Sequence, residues 1–243
     1  MNHDQADTYG ERIADVYDDW YHAYDEAAIT TLAELAQGGR VLELGIGTGR
    51  IALPLQQVGV NVQGIDASPA MLAKLHAKPS GENIPVAVGN FADVGVEGEF
   101  TLIYIAFNTF FALLTQAEQI RCFENVARRL TPEGVFVIEA FVPDMTLFNR
   151  GQSVRAIGVA EGEVRLDTTL LDTINQHLTS QHIVLTEQGI RFYPVKLRYV
   201  WPSELDVMAR LAGLHLRHRW GSWSRGAFSA ESGKHISVYG PSR

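Results

Sequence analysis

Val41-Leu42-Glu43-Leu44-Gly45-Ile46-Gly47-Thr48-Gly49 is the stretch from which the fold of this chain is read. A short apolar run carries an acid near its end, and three glycines then alternate with single residues. From Arg50 the pattern turns amphipathic, through Ile51, Ala52, Leu53, Pro54 and Leu55. That order predicts a strand, a turn that bares its backbone, and the start of a helix. A second apolar run follows, Val60-Asn61-Val62-Gln63-Gly64-Ile65-Asp66, and it too ends in an acid. A glycine turn between strand and helix, with an acid closing the next strand, is the usual way a protein holds a nucleoside.

Outward from this core the pattern repeats. Residues 8–37 predict two helices, with Ile13, Val16, Tyr17, Trp20, Tyr21 and Tyr24 at helical spacing. Gly38-Gly39 ends the second. Strand 40–44, helix 49–58 and strand 60–65 come next. Ser68 is placed to cap a further helix, with Pro69 in its first turn. Strands 84–88, 100–106 and 135–141 follow, the last two separated by a helix over 116–130 and a turn at Pro132-Glu133-Gly134. Such alternation implies a parallel sheet covered on both faces.

The texture changes near residue 142. Four strand-like runs, 154–160, 163–172, 177–186 and 189–201, have turn signals between them and no helices. In the last run the apolar parity switches at Pro194, which suggests a bulge or an edge position. A helix from Ser203 to Ala212 and strands 214–220 and 234–240 close the chain. The expected fold is therefore α/β: a doubly wound, seven-stranded, mostly parallel Rossmann-like sheet, with an antiparallel β block inserted after strand five. The expected division is residues 1–141 with 202–243 as the main domain, and 142–201 as the insert.

The 243 residues suit a single domain with an insertion, and 46% apolar with 20% charged residues is ordinary for a globular chain. Cys122 is alone, and no Cys/His spacing suggests a metal. The polar, acidic N-terminus offers no signal peptide, and no run of about 18 apolar residues occurs, so a cytoplasmic protein is expected. A net charge of −8 argues against a nucleic-acid partner. Residues 150–225 are net positive, which fits either an acidic substrate or a half-exposed sheet.

The glycine turn narrows the ligand. Dinucleotide enzymes favour G-x-G-x-x-G, which seats a pyrophosphate on the helix N-terminus. Here the spacing is G-x-G-x-G, and Glu43 stands two residues before the first glycine. A carboxylate so close repels a pyrophosphate and suits a cationic head, such as an amino acid's ammonium group. Asp66 is then placed to accept from ribose hydroxyls.

Glu43-Leu44-Gly45-Ile46-Gly47-Thr48-Gly49, Asp66, Gly89-Asn90-Phe91-Ala92-Asp93 and Thr131-Pro132-Glu133-Gly134 together resemble the class I S-adenosylmethionine-dependent methyltransferases. The resemblance covers roughly residues 8–141, and the closing strands fit it. It implies S-adenosylmethionine as cofactor, with Gly45, Gly47 and Gly49 forming the turn against its methionine part. Asp66 would bind ribose, and Asn90 and Phe91 would meet adenine. Many relatives carry Asp where this chain has Asn90. Ala106 would contact the methionine part. Ala67 and Met71 either wall the adenine or pack in the core.

The start of the chain, Ala14-Asp15-Val16-Tyr17-Asp18-Asp19-Trp20-Tyr21, and the inserted block are similar to small-molecule methyltransferases of the aminosugar and glycine-type N-methylating kinds. There the N-terminal segment caps the cofactor, which would place Tyr17 against it, and the insertion roofs the acceptor or pairs subunits. The expected acceptor is a small-molecule amine. The alternatives are O-methylation of a small hydroxylated metabolite and a protein that binds the cofactor without turnover. Nicotinamide, RNA and protein substrates rank lower. Methyl transfer relies on alignment and desolvation, so no catalytic dyad is demanded.

Candidates for the acceptor side are few. Asn108, past strand four, either orients the reactants or caps a helix. Glu139, a charge inside an apolar strand, is a candidate base or amine-binding group, or is partly exposed. Tyr17 and Tyr21 share a helical face and line the pocket or the core. Arg191, Lys196 and Arg198 either bind an acidic acceptor or form a solvated face. His177 and His182 read as surface residues of the insert. A homodimer through the antiparallel block is a further expectation.

Overall fold

The computed structural model describes residues 4–242, with side chains from Tyr9 onward. Three helices open the chain: α1 (Asp4–Ile13), a single turn α2 (Tyr17–Trp20) and α3 (Glu26–Ala36). The sequence predicts two. The extra break is the turn at 14–16 between α1 and α2; Asp25, which accepts from the Ala27 N–H, caps α3. Next come β1 (Arg40–Leu44), α4 (Ala52–Gln57), β2 (Asn61–Asp66), α5 (Pro69–His76), β3 (Val86–Val88), β4 (Phe100–Ile105), α6 (Gln116–Ala127) and β5 (Leu130–Phe141).

Two of these starts are fixed by side chains, the first as expected. Ser68 accepts from Met71 N–H, with Pro69 in the first turn. Thr115 and Glu118 form a reciprocal capping box on α6. The turn expected at 132–134 is instead a bulge inside β5. Phe100 pairs with Leu130 and Leu102 with Val135, so Thr131 to Gly134 loop out of register.

The second sheet comprises β6 (Gln152–Ala160), β7 (Glu163–Asp172), β8 (His177–Thr186) and β9 (Gly189–Arg198). The chain then returns through α7 (Pro202–Leu211), β10 (Leu214–Trp220) and β11 (Lys234–Pro241) to the first sheet. That sheet has the order β10-β11-β5-β4-β1-β2-β3. Strands β1 to β5 pair in parallel, and β11 and β10 are antiparallel. The second sheet is antiparallel throughout, in the order β6-β7-β8-β9. The doubly wound sheet with an antiparallel block inserted after β5 is thus the observed fold.

One face of the large sheet packs Leu42, Leu44, Ile103, Ile105, Phe136 and Ile138 against α6 and α7. The other packs Val41, Val62, Leu102, Tyr104 and Val137 with residues of α3, α4 and α5. Burial on both faces explains why these strands read as continuous apolar runs. At Pro194 the β8–β9 register runs on without a shift, so the expected bulge is absent there. Pro194 lies on an edge strand, where a missing N–H is tolerated. The parity switch reflects burial. Ile190 and Phe192 are exposed on the outer face, while Tyr193 and Leu197 face the body of the protein.

The candidate active site

The C-terminal ends of β1, β2 and β4 converge on the glycine turn. Gly45 and Gly47 adopt left-handed backbone, with φ of 77° and 54°. A Cβ at Gly45 would collide with the Thr109 methyl group, so this position requires glycine on two counts. Gly49 is left-handed too, with φ of 78°, and a Cβ there would strike Leu75 of α5. Gly47 N–H donates to Asp66 Oδ2 at 2.7 Å, and Ser68 N–H donates to Oδ1 at 2.9 Å. These bonds lock the Asp66 carboxylate at the mouth of the turn.

Glu43 is buried in β1 beside its register partner Tyr104, whose hydroxyl donates to Oε2 at 2.8 Å. Burial pushes the Glu43 carboxyl up to about 8, with the Tyr104 hydroxyl and the Arg50 charge pulling the other way. A cationic group entering the turn would restore the carboxylate. Ala106 is buried at the end of β4, Met71 is buried with its terminal methyl near Gly47, and Ala67 is half-buried. Asn90 caps a short turn over Phe91–Asp93 by accepting from Ala92 N–H at 2.9 Å. Phe91 packs in the core beneath it.

The N-terminal helices close over this turn. Thr48 Oγ1 donates to Asp18 at 2.6 Å, and Lys78 bridges Asp18 and the Thr48 carbonyl, each at 2.8 Å. Glu11 accepts from Ala70 N–H at 3.1 Å. Gly10 is the point of closest approach, since a Cβ there would overlap Ser68. Tyr17 and Tyr21 share a face as expected, their ring centroids 5.0 Å apart. Arg50 spans the gap, 5.7 Å from Tyr17, 5.9 Å from Tyr21 and 3.1 Å from Phe107. Burial raises the pKa of both tyrosines, so they remain neutral phenols.

Asn108 and Glu139, the expected catalytic pair, are both bonded into the turn after β4. Phe107 and Asn108 are consecutive non-glycine residues with positive φ, 55° and 64°. Such backbone is costly and persists only when neighbours fix it. Glu139 supplies the fixing. Its Oε2 accepts from Phe107 N–H at 3.1 Å, and its main-chain carbonyl accepts from Asn108 N–H at 3.2 Å. Lys234 Nζ donates to the other carboxylate oxygen at 2.8 Å. Asn108 Oδ1 accepts from Phe141 N–H at 2.6 Å and makes no helix cap. The pair therefore clamps the β4 turn that holds Phe107 against Arg50.

Arg198, expected on the acceptor side, is buried, with Nη1 donating to Gln119 and Nη2 to Gln176 and Glu204, so it ties β9 to α6 and α7. A buried guanidinium demands such partners. Arg191 is exposed at the far end of β9, opposite Val184, with no polar contact among the described residues.

Sequence reasoning missed the residues that the second sheet turns inward. Tyr193 packs edge-on against Trp20 at 4.9 Å, and His182 lies 6.3 Å from the same ring. Asp167, Thr169 and Ser180 share that face. The available signal was the alternation Arg165, Asp167, Thr169 within β7, which marks one face as polar but not which way it looks.

A family model described as a methyltransferase domain matches residues 41–134. The chain is similar to the CcbJ methyltransferase of Streptomyces caelestis, with 39% identity, 98% of this chain and 100% of that one covered, and a TM-score of 0.91. It is 28% identical to the cypemycin N-terminal methyltransferase of a Streptomyces species, over 83% of this chain and 82% of the other. It shares its fold with CalS10, an amino pentose methyltransferase from Micromonospora echinaspora solved with S-adenosylmethionine bound, at 20% identity, 92% and 96% coverage and a TM-score of 0.67.

Proposed function

The chain belongs to the class I S-adenosylmethionine-dependent methyltransferases, and from that membership we propose that its acceptor is an amine on a small molecule, such as an aminosugar or an amino acid derivative. The cofactor, S-adenosylmethionine, supplies an electrophilic methyl group on a sulfonium. Several residues fit it. Glu43 suits its ammonium group, the bare backbone of Gly45 and Gly47 allows close approach, and Asp66, held at the mouth of the turn, is placed for ribose hydroxyls. Asn90, Phe91, Ala67 and Met71 would border adenine, and Ala106 and Tyr17 the methionine part.

The observation that carries the amine reading is the lining of the acceptor side. Tyr17, Trp20, Tyr21 and Tyr193 present neutral aromatic rings, and Asp167 adds a fixed carboxylate. Aromatic faces with one carboxylate attract an ammonium group and desolvate it. Two relatives named for amine-bearing acceptors, a peptide N-terminus and an amino pentose, support the reading. Residues 142–201 would roof this acceptor.

The test is incubation with S-adenosylmethionine and a panel of an aminosugar, a tripeptide with a free N-terminus, a simple secondary amine, an alcohol and a phenol. A gain of one methyl mass on an amine supports the proposal; methylation of the hydroxyl compounds alone refutes it. The outer face of the second sheet, with Val154, Val159, Leu170, Ile190 and Phe192 exposed, is where we place the homodimer contact. Light scattering of Phe192→Glu checks it, and a wild-type monomer would sink it. Among the described residues no helix is long and apolar enough to cross a membrane.

A further inference from the structure

Asp167 on β7 and His182 on β8 are register partners on the inward face of the second sheet. Their side chains are 13% and 18% exposed. His182 Nδ1 lies 3.4 Å from Asp167 Oδ1, an ion-pair separation at which Nδ1 is buried without an aligned hydrogen bond. Arg155 of β6 donates to Asp167 Oδ2 at 3.1 Å. His182 first, and then Arg155, hold the Asp167 carboxyl below its usual range, so it is an anion at neutral pH. An anion beside Nδ1 selects the Nδ1–H tautomer and leaves the lone pair on Nε2. No hydrogen bond engages Nε2 among the described residues.

The surroundings place this dyad on the acceptor side. Tyr193 of β9 is the cross-strand neighbour of His182, and Trp20 of α2 packs edge-on against both rings. Arg165 of β7 lies 5.8 Å from the Trp20 ring. The Asp167 and Arg165 charges both reach the Tyr21 hydroxyl, which in turn contacts Tyr9 of α1. The charged and titratable groups facing His182 are therefore Arg155, Asp167, Arg165, Tyr193, Tyr21 and Tyr9. Tyr21 connects them to Tyr17 and, through Arg50, to the glycine turn.

We propose that His182, oriented by Asp167, accepts the proton that the acceptor's ammonium must lose before methyl transfer; this rests on the amine reading above. The ammonium N–H bond breaks as an Nε2–H bond forms on His182. The imidazolium charge is then balanced by Asp167, and the freed nitrogen lone pair is available to the methyl carbon. His182 is the proton acceptor, and Asp167 is a positioning residue that sets its tautomer and steadies its charge.

The experiment compares wild type, His182→Gln and Asp167→Asn on whichever amine of the panel is methylated, with kcat/KM measured across pH and S-adenosylhomocysteine affinity as a control. General-base removal predicts a loss of roughly 100-fold in kcat/KM for His182→Gln, and loss of the low-pH limb that a histidine imposes. Cofactor affinity should hold within about twofold. Asp167→Asn should keep the limb, at an intermediate rate. Unchanged rate and profile in His182→Gln overturn the proposal. Methylation of hydroxyl compounds alone instead removes the amine reading, and this inference with it. Nitrogen-15 NMR of the cofactor-bound wild type provides a readout that does not depend on an acceptor or on the folding of a variant. The Nδ1–H tautomer supports the proposal, and the Nε2–H tautomer overturns it.

Discussion

Glu43 ties cofactor affinity to pH, and the structure sets the size of the effect. Its carboxyl is buried and pushed up to about 8 in the ligand-free protein. About one molecule in eleven therefore carries the carboxylate at pH 7. If the ammonium head group binds the ionised form, apparent affinity is reduced about elevenfold at pH 7 and about a hundredfold at pH 6. That is a slope of about 1.4 kcal/mol per pH unit. Calorimetry with S-adenosylhomocysteine over roughly pH 6 to 7.5 measures it, below the range where the ligand's own amino group titrates. Buffers of different ionisation enthalpy should report release of close to one proton. Glu43→Gln should flatten the slope. Tyr104→Phe removes the hydroxyl that favours the ionised form and should steepen the loss near neutrality. An affinity independent of pH in wild type, or the same slope in Glu43→Gln, would refute the linkage. The sign extends to stability. The folded carboxyl titrates above its unfolded value of 4.5, so its stabilising share is complete below that value and is lost as pH rises toward 8. Melting temperature of the ligand-free protein should fall across this window through Glu43, and the fall should be absent in Glu43→Gln.

Other perturbations follow from single contacts. Gly45→Ala meets both the positive φ and the Thr109 methyl group, so it should cost at least about 1–2 kcal/mol and abolish the thermal shift given by S-adenosylhomocysteine. Arg198→Ala removes the cation paired with Glu204 and the donor to Gln119 Oε1, and should destabilise by about 3 kcal/mol in a denaturant melt; equal stability would mean the network is slack. His235 is buried, and burial first, then Arg219, lowers its pKa to about 4 from 6.5. Its neutral form stabilises above 6.5, and that share is lost as pH falls toward 4. His235→Leu should flatten the acid side of the stability profile, as read by melting temperature.

The sequence by itself determined the β-α alternation, the glycine turn, the acids at Glu43 and Asp66, and the four-stranded insert. Each is local. A glycine pattern, a capping residue or an apolar period of two acts over a few residues and leaves its mark within them. The expected boundaries moved where local signals compete, as in the β5 bulge and the turn between α1 and α2. The tertiary structure decided the partners. Phe107 meets Glu139 across 32 positions, and Arg198 meets Gln119 across 79, so neither contact has a local signature. Those contacts give Glu139 the geometry of a clamp and Arg198 that of a strut, which no local pattern announces. The same holds for the roof. Alternation in β7 and β8 says that Asp167 and His182 share a face with Arg155, but only the docking of the insert against α1 and α2 turns that face toward Trp20 and Tyr21. A strand's period divides its side chains into two sets, and which set meets the active site depends on packing between elements far apart in the chain.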